Sequence, residues 1–126
     1  MEQIGDPIEF VARLGGLHDV EVERVEFDPL DQTLVLVVSD INANFAGLPD
    51  YKGSSACRLI FGGVKAFAFD VETEEAVRIS RAAIAHQESS LRLEADLNLG
   101  GGTLTGGRRS IAEPFDSLRI ETISPA

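Results

Sequence analysis

From residue 91 to residue 99 the chain alternates without interruption. Leu91, Leu93, Ala95, Leu97 and Leu99 fall on one parity and Arg92, Glu94, Asp96 and Asn98 on the other, which predicts a strand with one buried and one wet face. A related signal runs through VEVERVEF at 20–27, but Val20 and Val22 share one parity and Val25 and Phe27 the other. The strand therefore changes phase near Glu23-Arg24. A β-bulge inserting one residue restores a single apolar face, and passage between two packing environments would do the same. Asp28-Pro29-Leu30-Asp31 predicts a turn, and the apolar run TLVLVVSD at 33–40 predicts a central strand covered on both faces.

Further strands are expected at 55–61 and 64–71, joined as a hairpin across Gly62-Gly63. The stretch 73–89 admits a helix capped at Thr73 or a turn followed by a strand; strands on both sides favour the second. An irregular edge strand at 103–112 and a closing strand at 117–123 complete the pattern. The helical signal is confined to the N-terminus. Asp6-Pro7-Ile8-Glu9 combines a cap, a first-turn proline and a capping-box acid, Ile8, Val11 and Leu14 share a face, and Gly15-Gly16 ends the run, so a helix is predicted over 7–14. The sum is a mainly β (α+β) protein: an antiparallel, strongly curved sheet, or a partly open barrel or sandwich, with one short N-terminal helix in a single domain, 1–126.

Composition narrows the function classes. With 126 residues, 44% apolar and 25% charged, the chain has the usual globular mix and length enough for one core. Its longest uncharged apolar stretch, LVLVV at 34–38, is far below the roughly 20 residues of a membrane span. MEQIGDPIEF lacks the basic start and apolar stretch of a secretory signal, and Cys57 stands alone in an apolar run, so a reduced core thiol in the cytoplasm is expected. The formal charge of −10 is uneven: residues 1–50 hold eleven acids against Arg13 and Arg24, and residues 51–126 hold ten against nine bases. Such a field disfavours nucleic acid and anionic membranes and favours a basic protein or a cation.

Motifs of catalysis fail on their chemistry. GGGTLTGGRRS at 100–110 opens like a phosphate loop, but Arg108 and Arg109 occupy the Lys and hydroxyl positions and Pro114 cuts short the helix such a loop needs. His18, His86 and Cys57 are too few and too scattered for a zinc site, no EF-hand-like loop is present, and no GxSxG occurs. No catalytic residue, metal or cofactor is assigned. His18-Asp19 joins the helix stop to the first long strand, where either side chain is suited to fix the junction by bonding exposed backbone. Asp19, Glu21 and Glu23 share a parity there. The long Asn-, Gly- and Pro-containing loop at 41–52 adds Phe45, Leu48 and Tyr51, and acids with aromatic and aliphatic anchors describe a docking face.

The order of a short leader helix, Leu17-His18-Asp19, an acidic strand, the Leu34–Val38 strand and RLIFGGVKAF at 58–67 resembles small β-sheet proteins of bacterial origin, mostly uncharacterised, some classed with immunity proteins of polymorphic toxin systems. The resemblance implies an antiparallel sheet beside one helix and, in some relatives, binding to a cognate toxin; it carries over no catalytic residue. Three functions are expected in competition. The first is a protein-binding, immunity-like module with a basic partner. The second is a small-molecule site lined by Phe67 and Phe69. The third is an accessory domain that forms homo-oligomers through its strand edges.

Overall fold

The computed structural model describes residues 2–69, 77–99 and 108–123. Its elements are β1 (Glu2–Ile4), α1 (Pro7–Arg13), β2 (Glu21–Asp28), β3 (Thr33–Val38), β4 (Cys57–Gly62), β5 (Ala66–Phe69), β6 (Val77–Gln87), β7 (Ser90–Leu99), β8 (Arg108–Phe115) and β9 (Ser117–Thr122), with 3-10 turns at Gly15–Leu17 and Ala43–Phe45. The nine strands form one antiparallel sheet in the order β1-β9-β4-β3-β2-β6-β7-β8-β5, with β1 and β5 at its two open edges.

Local chemistry accounts for the first elements. Asp6 Oδ1 accepts a hydrogen bond from the Glu9 amide at 3.1 Å, Pro7 opens α1, and Val11 is buried from its inner face. The helix stops where Gly15 and Gly16 take φ of 71° and 68°. In β2 the register with β3 passes from Val22–Val38 to Arg24–Val37, so Glu23 is the extra residue of a β-bulge. The bulge lets Val25 and Phe27 rejoin Val20 and Val22 on the core side. Of the two explanations for the phase change, the structure has the bulge.

One cluster of buried side chains draws on α1 and on β2, β3, β4, β6, β7, β8 and β9. Leu34, Leu36 and Val38 of β3 lie within it, whereas Val35 and Val37 on the other parity are only half-buried. The expectation that β3 is covered on both faces is therefore corrected. Its continuous Val and Leu content suits a strand's backbone whether or not a second layer lies over it. Ile60, buried but outside that cluster, sits in register between Val35 and Arg119 on the same outer face.

The predicted hairpin across Gly62-Gly63 does not form. Both edges of β4 are taken, by β3 and β9, so β5 cannot pair with it and joins β8 instead. The link is short: Val64 donates to the Gln32 carbonyl at 2.8 Å and Lys65 to that of Pro114 at 3.2 Å. Likewise β8 is no edge strand, since it lies between β7 and β5; residues 103–107 of that prediction fall outside the described residues. The stretch 77–87 is strand, as its neighbours suggested, while β1 carried no periodicity long enough to read.

Cys57 is buried in the core, and burial first, then the Asp40 charge, pushes its thiol up to about 11. We expect iodoacetamide to modify it slowly at pH 8 in the native protein and at the rate of a free thiol in denaturant, as followed by mass spectrometry; equal rates would contradict the burial.

Candidate functional site

The 41–52 loop leaves the sheet beside the acidic strand, because the Ser39 amide donates to the Glu21 carbonyl at 3.2 Å just before the loop begins. Asp40 organises the loop. Its Oδ1 accepts from the amides of Asn42 at 2.9 Å and Ser55 at 3.1 Å, and its Oδ2 accepts from the Tyr51 hydroxyl at 2.6 Å. Asn42 Nδ2 also donates to the Gly53 carbonyl at 3.1 Å. The two ends of the loop are thus clamped together, and its tip is left to solvent: Leu48 is 55% exposed, one of two large apolar side chains so placed among the described residues. The bond to Asp40 is the main cause that raises the Tyr51 phenol above its ordinary value of 10.0, with desolvation and the Asp40 charge next.

On the other side of β2, the segment after α1 runs along β6. Among the described residues, strand β2 pairs with β6 only at Glu21–Arg78 and Val22–Val77. Beyond that, single groups continue the pairing. The Ile79 amide donates to the Val20 carbonyl at 2.8 Å, and the Asp19 amide to the Ile79 carbonyl at 2.9 Å. His18 Nδ1 lies 2.7 Å from the Ser80 carbonyl, which requires the proton on that nitrogen, and its Nε2 lies 3.5 Å from Asp19 Oδ2. Gly16 rests on the next outward carbonyl, that of Ala82, which a side-chain carbon at Gly16 would meet at 3.1 Å.

Between α1 and β6 lies a groove of about 500 Å³, walled by Ile8, Val11 and Ala12 on the helix and by consecutive residues 80–84 on the strand. Past Ile8, a second hollow of about 590 Å³ reaches His86, Leu91 and Phe115, with Asp6 and Asp116 and, among the described residues, no Lys or Arg in its lining. The two hollows share Ile8 and together run beside β6 along most of its length.

The residues nominated from the sequence are only partly brought together. Glu21 and Glu23 lie on β2 and Asp19 just before it, with Asp19 and Glu23 exposed and Glu21 half-buried. Their common parity does not survive, because Glu23 is the bulged residue. Phe45 is half-buried over a smaller hollow of about 320 Å³ shared with Arg13, Leu14 and Asp50, Leu48 projects, and Tyr51 is engaged by Asp40. Phe67 packs on Phe27 with ring centroids 5.7 Å apart, while the Phe69 side chain and the glycine-rich 100–107 lie outside the described residues. Among the described residues no group of three or more His, Cys, Asp or Glu is placed to hold a metal ion, and no helix is long and apolar enough to cross a membrane. Missed altogether was the β6 groove; its only sequence signal was the Gly-Gly stop, which read as the end of a helix. Comparison with family models, curated proteins and solved structures returns no match.

Proposed function

We propose that this chain is a protein-recognition module, immunity-like in the sense that it would bind and mask a basic partner, with the outer side of β2 and the Asp40-clamped loop as its docking face. The supporting observation is the charge left free along β2. Glu21, Glu23, Glu26 and Asp28 stand against the lone Arg24, which Glu26 already engages at 2.8 Å. Exposed acids of this kind steer association more than they hold a complex, whereas Leu48 and the half-buried Phe45 supply the apolar contact area. A curled sheet also belongs to this proposal. Its support is that β4 and β5, six places apart in the sheet, are joined by three residues, that β8 and β9, also six places apart, are joined by Asp116 alone, and that Phe61 and Phe115 meet at 5.2 Å.

The double variant Glu21→Lys, Glu23→Lys tests the docking face. Used as bait beside the parent chain, it should lose basic proteins that the parent retains at low salt, or capture them about tenfold more slowly, with its melting temperature nearly unchanged. Equal capture at equal salt dependence would remove the acidic face from the proposal.

A further inference from the structure

Arg13 in the last turn of α1 and Lys52 in the loop line one hollow, of about 320 Å³, with Leu14, Asn42, Phe45 and Asp50. Among the described residues none of these three charged side chains is in an ion pair, so Asp50 borders the same space without engaging either base. Arg24, the other base of residues 1–50, is by contrast engaged by Glu26 at 2.8 Å. Two bases against one acid leave the hollow a local excess of +1 in a chain of net −10.

The walls are fixed from both sides. Gly15, at φ of 71°, makes room for the Asn44 side chain, with which a side-chain carbon at Gly15 would collide, so the Ala43–Phe45 turn is seated on the end of α1. Asn42 is held through its amide by Asp40 and through Nδ2 by the carbonyl of Gly53, the residue after Lys52. Leu14, Asn42 and Phe45 are half-buried and Arg13, Asp50 and Lys52 exposed, which places a partly apolar wall under a charged rim.

We infer that this hollow binds a small organic anion, a carboxylate with an apolar or aromatic body, its charge against Arg13 and Lys52 and its body on Leu14 and Phe45. Guanidinium and ammonium groups make the stronger, charge-assisted hydrogen bonds to a carboxylate, and a concave site already formed, with an apolar wall and few polar groups, is the usual seat of a small ligand. Asp50 favours a monoanion over a dianion such as phosphate, because it cancels one of the two positive charges. Of the residues named for the β2 face the site shares only Phe45, and the inference stands whether or not that face binds a partner.

Phenylpropionate is the probe, with phenylpropylamine, phenylpropanol and inorganic phosphate beside it, each titrated into the full chain and followed by amide shifts in NMR. Phenylpropionate should bind saturably, with a dissociation constant on the order of 1 mM, and should move the amides of Leu14, Asn42 and Phe45. The alcohol should bind at least about threefold more weakly, and the amine and phosphate more weakly still. Arg13→Gln and Lys52→Gln should each weaken phenylpropionate roughly threefold and together about tenfold, with smaller losses in high salt and melting temperatures nearly unchanged. Asp50→Asn should tighten it about twofold, an effect that a purely structural role for these side chains would not produce. The Glu21→Lys, Glu23→Lys variant should bind phenylpropionate at least as tightly as the parent, which keeps failure of this site distinct from failure of the β2 face. No saturable shift at the three amides, equal binding of the amine or of phosphate, or undiminished binding to the folded Arg13→Gln, Lys52→Gln double variant would overturn the inference.

Discussion

Phe115→Ala should lower the free energy of unfolding by about 3–5 kcal/mol, a large part of the roughly 5–15 kcal/mol that holds a domain of this kind. Phe115 is fully buried and meets Phe61 edge-on, with ring centroids 5.2 Å apart and an interplanar angle of 88°. Truncation loses the transfer free energy of the ring, leaves a cavity and breaks an aromatic pair worth about 0.5–1.5 kcal/mol beyond its area. The setting keeps the cavity from closing easily. Asp116, the next residue, donates its amide to the Gly62 carbonyl at 2.8 Å, and Ser117 begins β9, so the backbone on that side is held by β4. Urea titration of the parent and of Phe115→Ala and Phe115→Leu checks this. Leu refills much of the space and should recover more than half of the loss; a loss below about 1 kcal/mol for Ala would mean that the site collapses around the smaller side chain.

Asp40→Ala is expected to cost about 2–3 kcal/mol, since three hydrogen bonds to one carboxylate disappear together and two of the abandoned donors are main-chain amides. The same variant should make the 41–56 segment the first site of proteolytic nicking, because the clamp across its ends is gone. Asp40→Asn separates the contributions. Its amide oxygen can still serve Asn42 and Ser55, while its NH₂ replaces the acceptor used by Tyr51, so its cost should be the smaller. The Tyr51 contribution has a definite pH sign. The phenol is raised above its unfolded value of 10.0, chiefly by donating to Asp40, so the stability it adds is fully present below pH 10 and is lost as pH climbs through the raised value. Denaturant titrations at pH 8 and in the alkaline range should show that loss in the parent and a smaller one in Asp40→Ala.

What could be read from the sequence was whatever repeats locally. Asp6-Pro7 and Gly15-Gly16 bracket α1, five alternating apolar residues mark β7, and the parity break at Glu23 marks a change of phase that the fold makes with a bulge. What could not be read was partner choice. Gly62-Gly63 has the composition of a hairpin turn, yet Gly62 belongs to β4 and only Gly63 takes a left-handed φ, of 72°; the competition of β3 and β9 for β4 decided the outcome, and no local pattern records it. The proposed docking face was half legible. Acids and loop are neighbours through Ser39 and Glu21, but Tyr51 is occupied internally by Asp40. The β6 groove was illegible, because it depends on left-handed conformations at Asp19, with φ of 65°, and at Leu17, with φ of 56°, the latter a residue type that rarely adopts one.

The place of β9 bears on the order of events during synthesis. Strand β9 sits between β1 and β4, pairing Glu2 with Ile120 and Cys57 with Thr122, so two strands made early wait for one made more than fifty residues after β4. Until residues 117–122 have left the ribosome, the β1 strand has no neighbour and one whole edge of β4 is open, with Leu59 and Phe61 beside it. Contacts so distant in sequence make for slow folding. Removal of β9 would take β1 with it, because β9 is the strand that the three residues of β1 pair with, and would bare the edge of β4.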